Sequence, residues 1–283
     1  MERLWLPDGD FLDLLHASEQ GFGIALLVHG LGGSSRSHYV GGLLTTLASH
    51  GWRSVMMHFR SCSGEPNLHA RSYHSGETGD LATVVRTLRD RYPGEPIFIV
   101  GISLGGNVLL KWLGETGAQN PTTAAVAISV PFMLDRASIQ LNQGFSRIYQ
   151  TYLLRNLVDV TERKFAKRTD APIPIEQLKR IRTIWQFDEL VTAPLHGFSS
   201  ASHYYQESSS RAYLPSITVP TLIIHARDDP FLPFDAVPKP IELSSSTQLE
   251  LHDTGGHVGF VEATTGATAS YYLDRRVPDF FRR

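Results

Sequence analysis

The chain of 283 residues holds a single cysteine, Cys62, which excludes an intramolecular disulfide and any metal cage built from cysteines. It also lacks an excess of charge. The formal net charge of -2 leaves no basic footprint for nucleic acid, and no nucleic-acid partner is expected. No window approaches about eighteen consecutive apolar residues, so no transmembrane segment is expected. His196, His225, His252 and His257 occur without an H-E-x-x-H motif or other paired-ligand spacing, and no metal is expected. A G-x-G-x-x-G dinucleotide fingerprint is missing, and so is any internal repeat. The opening residues, MERLWLPDGDFLDLL, place acids and a Pro-Asp-Gly turn where a signal peptide needs a basic start and an apolar run. The expectation is a cytoplasmic protein.

What remains is ordinary globular material, 42% apolar and 19% charged, enough to bury a large core. Arg3–Leu6 and Phe11–Leu15 flank a turn at Asp8-Gly9 and read as a hairpin. Strand-like and helix-like segments then alternate, as in a mostly parallel sheet with crossover helices. The expected strands are Ile24–His29, Ser54–Phe59, Ile97–Val100, Ala124–Val130, Thr221–His225 and Gln248–His252. The expected helices are Tyr39–His50, Glu77–Tyr92, Asn107–Glu115 and Ala267–Arg276, the last ended by Pro278. From Pro131 to Pro215 the rhythm breaks into helical patterning with clustered aromatics. This divides the chain into a core of residues 1–130 and 216–283 and a helical cap of residues 131–215, inserted over the strand ends where open α/β sheets keep their sites.

Chemistry concentrates in four places. Gly101-Ile102-Ser103-Leu104-Gly105-Gly106 follows an apolar strand and precedes a helical pattern, the setting of a nucleophile elbow. A nucleophilic serine needs a base, and the base needs an acid to hold it. His257 lies in a glycine turn, Asp253-Thr254-Gly255-Gly256-His257, just after the last strand of the sheet. Asp228 and Asp229 follow the preceding strand. Asp229 is preferred because the acid commonly stands three residues before a Val/Leu-Pro pair, here Leu232-Pro233, and Asp228 then stabilises the turn. The chain order Ser, Asp, His is that of α/β-hydrolases. The fourth place is His29-Gly30-Leu31-Gly32-Gly33. An acyl-transfer site must stabilise an oxyanion with backbone amides, and Leu31 and Leu104 are the candidates. His29 is assigned to shaping that loop, and His29 and Gly30 are placed at the substrate.

Arg60, Cys62, His69, Tyr73, His74 and Glu77 form a dense polar run that reads as pocket mouth or as structural turn. Cys62 has no neighbour that signals a lowered pKa. The aromatics of the cap read either as its packing face or as the wall of an acyl groove, with Trp185, Phe187, Phe198, Tyr204 and Tyr205 as candidates. Of these, Phe198 and Tyr204 are taken forward as substrate-binding residues.

The stretches LLVHGLGGSSRSHYV, MMHFRSCSGEPN, YHSGETGD, GISLGGNVLLKWLGE, GFSRIYQTYLLR, FDELVTAPLHGF, DDPFLP and GGHVGF resemble the YheT-like branch of α/β-hydrolases. The resemblance runs through nearly the whole chain, cap included. It implies the α/β-hydrolase fold, a carboxylic ester hydrolase without a cofactor, a small acyl ester or lipid as substrate, and Ser103, Asp229 and His257 as the triad. Some relatives of this branch are acyltransferases. An acyltransferase passing the acyl group to an alcohol, and a catalytically silent binding protein, remain as alternatives. Two departures stand out. Relatives commonly carry a longer segment before the hairpin, sometimes with a membrane anchor, and Ser61 occupies a position where the branch commonly has glycine. The oligomeric state is left open.

Overall fold

Short runs of Ile, Leu, Val and Ala form the middle of the fold, in a computed structural model that describes residues 1–262 and 270–282. The strands are β1 (Glu2–Trp5), β2 (Phe11–Ser18), β3 (Ile24–Val28), β4 (Arg53–Met57), β5 (Ile97–Ile102), β6 (Ala124–Ile128), β7 (Thr221–Ala226) and β8 (Thr247–His252). They make one sheet in the order β1-β2-β4-β3-β5-β6-β7-β8. The opening hairpin is antiparallel and β2 joins β4 antiparallel, while all other pairings are parallel. Every residue of β3, β5, β6 and β7 is buried. Continuous burial follows from helices covering both faces, which is why these strands carry no polar alternation.

Helix α1 (His38–Ser49) follows β3, α2 (Thr78–Arg91) follows β4, and α3 (Leu104–Thr116) follows β5. Leu43, Leu44 and Leu47 of α1 pack on one face, whereas Leu81, Val84 and Leu88 of α2 and Val108, Leu109 and Leu113 of α3 pack on the other. Neighbouring strands β3 and β5 therefore send their following helices to opposite faces. Their outgoing loops diverge and leave a crevice at the carboxyl edge of the sheet.

Between β6 and β7 the described chain holds helices joined by loops and no strand, with α4 (Leu134–Leu141), α5 (Ser146–Phe165), α6 (Ile175–Leu178), α7 (Ile184–Phe187), α8 (Ala193–Leu195) and α9 (Ala201–Ser208). A π-helical turn, Asp188–Thr192, joins α7 to α8. Beyond β8, the short strands β9 (Val261–Glu262) and β10 (Ser270–Tyr271) pair antiparallel, and α10 (Tyr272–Phe281) follows them. Among the described residues, no helix is long and apolar enough to cross a membrane.

Two expectations need correction. The helix after Ser103 begins at Leu104, not Asn107, because Gly105 and Gly106 serve close packing and do not break it. The last helix runs through Pro278 to Phe281, since its buried face of Leu273, Val277, Phe280 and Phe281 outweighs one missing backbone hydrogen bond. The expected start at 267–269 lies outside the described residues.

The polar run divides: Cys62, Tyr73 and His74 line the cavity described below, and Arg60 builds structure around the hairpin. Buried Arg60 pairs with Asp80 at 2.7 Å, Asp8 at 2.7 Å and Asp10 at 3.1 Å. Ser61 sits at φ 66°, the left-handed region that glycine tolerates best. Its hydroxyl donates to Asn67 Oδ1 at 2.6 Å and accepts the Asn67 amide at 3.1 Å, so the serine is tied down locally. Burial alone would raise the Asp10 carboxyl. Donors from Asn67 and from the amides of Leu68, Phe11 and His69 outweigh it and hold the group at about 2, against 3.8 ordinarily. A depressed carboxyl contributes stability above its unfolded pKa and loses it as pH falls through the folded value, here from about pH 4 to about pH 2. Asp10→Asn is expected to remove about 2 kcal/mol at neutral pH. Thermal melts across that acid range should show a flatter loss of stability in the variant than in the wild type.

Candidate active site

The elbow after β5 is built by what glycine omits. Ser103 adopts φ 52° and ψ -118°, a strained conformation for a residue with a side chain. Its amide donates to Ile128 O of β6 at 2.8 Å, and α3 starts at the next residue. A Cβ on Gly101 would lie 2.7 Å from the Gly105 carbonyl oxygen and from Gly106 Cα. One on Gly105 would lie 2.5 Å from the His29 carbonyl oxygen and press on that of Val28. The helix therefore approaches β3 at backbone distance, and this lifts the Ser103 side chain out of the sheet edge.

The loops after β7 and β8 bring the other two groups. His257 Nε2 lies 3.0 Å from Ser103 Oγ, and His257 Nδ1 lies 2.9 Å and 3.1 Å from the two carboxyl oxygens of Asp229. Asp229 is only 5% exposed, and its Oδ1 also accepts the Phe231 amide at 2.8 Å. Asp228 points the other way. Its Oδ1 accepts the amides of Gly255 at 2.9 Å and Gly256 at 2.8 Å, so it holds the turn that carries His257. The Phe231 ring lies flat on the imidazole, with centroids 3.8 Å apart and planes 7° apart.

The glycine loop after β3 is held amide by amide. Gly30 N–H donates to the Tyr39 hydroxyl at 3.0 Å, Gly32 N–H to the Tyr73 hydroxyl at 2.9 Å, and Gly33 N–H to Gly30 O at 3.0 Å. Among the described residues, the amides of Leu31 and Leu104 have no acceptor. Two free donors thus remain beside the elbow, one of them at the positive end of α3.

These groups open into a cavity of about 1380 Å³, walled by the strand-end loops and by α4, α5, α7, the π-helical turn and α9. Gly30 and Tyr204 lie on its wall, and so do Phe187 and Tyr205. His29 does not. It is fully buried, its Nδ1–H donates to Gly30 O at 2.7 Å, and its Nε2 accepts the Phe59 amide at 3.1 Å. Burial lowers its pKa to about 3, and a neutral ring with both nitrogens committed supports the loop without reaching a ligand. Phe198 is also off the wall, packed behind His74 and Tyr204 at centroid distances of 5.4 Å. Cys62 faces the cavity, but burial pushes its thiol up to about 12, which removes the thiolate a nucleophile needs.

The roles of Phe231, Tyr39 and Tyr73 in holding the site were not anticipated from the sequence. Phe231 carried a signal, standing two residues after the acid. The two tyrosines reach the loop from 9 and 41 residues away and carried none.

Comparison with known proteins identifies the family. The family model described as the alpha/beta hydrolase fold matches residues 26–264. Escherichia coli YheT, provisionally assigned as an esterase, is 44% identical over 99% of this chain and 83% of its own length. The chain belongs to the α/β-hydrolase fold family, in its YheT-like branch. Phospholipase ABHD3 of Mus musculus is 30% identical over 90% of this chain, and the monoacylglycerol lipase of Saccharomyces cerevisiae is 30% identical over 85%. This chain spans 62% and 55% of the length of those two proteins. The Pyrococcus furiosus esterase Pf2001 shares the fold at a TM-score of 0.65 and 18% identity, over 99% of this chain and 90% of that one.

The steric origin of the elbow can be tested directly. Gly105→Ala is expected to lower stability by about 3 kcal/mol or more, because backbone carbonyls block the new methyl group. Gly41→Ala, on an open face of α1, is expected to raise it by about 0.5–1 kcal/mol. Thermal melts of the two variants beside the wild type check both signs.

Proposed function

We propose that this protein is a serine esterase acting on small acyl esters or lipids, with Ser103 as nucleophile, His257 as base and Asp229 as the acid that orients it. The observation that carries this reading is the unbroken hydrogen-bonded chain from Ser103 Oγ through His257 to Asp229, beside two amides without acceptors. Ser103 Oγ attacks the ester carbonyl carbon while His257 Nε2 takes the hydroxyl proton. The carbonyl oxygen becomes an oxyanion held by the amides of Leu31 and Leu104. Collapse of this intermediate breaks the bond to the alcohol, which leaves with the proton from Nε2. Water then attacks the acyl-serine as Nε2 removes its proton, and the acid departs as Ser103 is reprotonated. Asp229 stays ionised, keeps the proton of His257 on Nδ1 and stabilises the imidazolium.

The division of labour follows the fold. Residues 1–130 and 216–283 supply the chemistry, and residues 131–215 form a cap that gives the cavity its apolar wall. The flat Phe231 ring shields one face of the imidazole from water. No cofactor enters this scheme.

The test is hydrolysis of p-nitrophenyl esters from acetate to palmitate. Ser103→Ala should lower turnover by roughly 10⁴–10⁶. A Ser103→Ala enzyme near wild-type activity would sink the assignment. The two neighbouring aspartates should separate cleanly in the same assay. Asp229→Ala is expected to cost on the order of 10⁴ in turnover. Asp228→Ala loses only the clamp on the His257 turn and should cost about 10–100-fold, by misplacing the base. Equal losses in both variants would contradict this separation of roles.

A further inference from the structure

The first two turns of α5 invert the usual arrangement of a surface helix. Ser146 and Gln150 face inward and are buried. Ser146 Oγ donates to Pro230 O at 2.7 Å, and Gln150 Nε2 donates to Asn142 Oδ1 at 3.1 Å. The outward side is apolar. Phe145, just before the helix, is 70% exposed, Ile148 60%, Tyr149 38% and Tyr152 67%. Spacings of three, four and seven residues put these side chains in one stripe. Folding of the chain alone opposes a polar side within and an apolar side in water, and contiguous exposed apolar surface marks a binding face.

The stripe leads to His257. Ile148, Tyr149 and Tyr152 line the cavity although they are exposed, so they form its rim. Ring centroids step from Phe145 to Tyr149 at 5.9 Å, from Tyr149 to Phe231 at 5.1 Å and from Phe231 to His257 at 3.8 Å. On the outer side, Phe145 shares a depression with the half-exposed Phe234.

Charge along this stretch has one sign. From Arg136 to Val158 the chain carries three arginines and no acid, whereas the whole chain has a net charge of -2. Arg136 pairs with Asp235 at 2.6 Å, but Arg147 and Arg155 are exposed and make no salt bridge among the described residues. Aromatic and aliphatic side chains beside unpaired arginines suit an anionic lipid surface, where rings sit at headgroup level and cations meet negative headgroups. A second copy of the chain fits less well. The four side chains expose on the order of 450 Å², below the roughly 800 Å² that each partner gives to a stable protein interface.

We propose that the first turns of α5 dock on an anionic lipid surface, with Phe145, Ile148 and Tyr152 entering the interface beside the rim of the cavity. The helix lies on such a surface and does not span it. The test is flotation of the whole chain, carrying Ser103→Ala so that lipid is not consumed. The vesicles are phosphatidylcholine alone, or phosphatidylcholine with phosphatidylglycerol as the minor component. The expected result is flotation with the anionic vesicles and weaker flotation with phosphatidylcholine alone. Phe145→Ser with Ile148→Ser is expected to lower the partition by about tenfold or more. Arg147→Glu with Arg155→Glu is expected to lower it by about tenfold or more on the anionic vesicles.

All four positions are exposed, and the two pairs of substitutions act on different features, so a folding defect in one leaves the other to decide. Absence of flotation with either vesicle, equal flotation with both, or flotation unchanged by both pairs overturns the proposal. If flotation is absent and sedimentation velocity shows a dimer that Phe145→Ser with Ile148→Ser abolishes, the stripe belongs to a second copy instead. Vesicle binding needs no ester cleavage, so this proposal and the esterase reading fail separately.

Discussion

The backbone of α3 meets the backbone of β3 with nothing between them, and the site depends on that contact. Gly105 lies against the carbonyls of Val28 and His29, and Gly101 lies against Gly105 and Gly106. Because no Cβ intervenes, only Ser103 separates the strand from the helix, and it is left at positive φ at the crest of the turn. The same contact brings the glycine loop after β3 next to Ser103. A Cβ on Gly30 would lie 3.2 Å from that of Ser103. Strain at one residue is sustained by packing around it, which is how such conformations persist.

A second layer of contacts turns this proximity into a fixed arrangement. Tyr39 and Tyr73 occupy the loop amides on either side of Leu31 and leave its own amide free. His29 pins the loop from beneath, between Gly30 and Phe59. Asp228 clamps the turn before His257, while Phe231 spans Asp229 and His257, with its amide on the carboxyl and its ring on the imidazole. Donors held in place before the substrate arrives need no reorganisation during the reaction, and this accounts for the number of side chains devoted to backbone groups.

Legibility in the sequence followed the range of the contact. The strands of the sheet were readable because continuous burial leaves an apolar run without alternation, as in Leu26, Leu27 and Val28. Ser103, Asp229 and His257 drew attention through their immediate neighbours, glycines and strand ends a few residues away. The choice between Asp228 and Asp229 rested on local spacing, and the structure gives the two carboxyls different partners. Contacts made across the chain left no such trace. Nothing near Tyr73 announces that its hydroxyl serves Gly32, and nothing near Phe198 tells that Tyr204 stands between it and the cavity. His29 was placed at the substrate because it opens the glycine loop, yet it is buried beneath that loop. Pro278 read as a helix end because the burial of Phe281 depends on distant partners such as Trp52 and Phe98.

The helices between β6 and β7 line the cavity with an apolar wall and a few buried polar groups, and the carboxyl edge of the sheet holds Ser103, Asp229 and His257. Everything proposed for the chemistry requires Ser103 Oγ to become covalently bonded, with His257 taking its proton. The most direct measurement is intact-protein mass spectrometry with peptide mapping after exposure to a fluorophosphonate. The expected result is one adduct per chain, on Ser103, and a strong loss of labelling in His257→Ala. No adduct, an adduct on another residue such as Cys62, or labelling that is unchanged in His257→Ala would contradict the proposed chemistry.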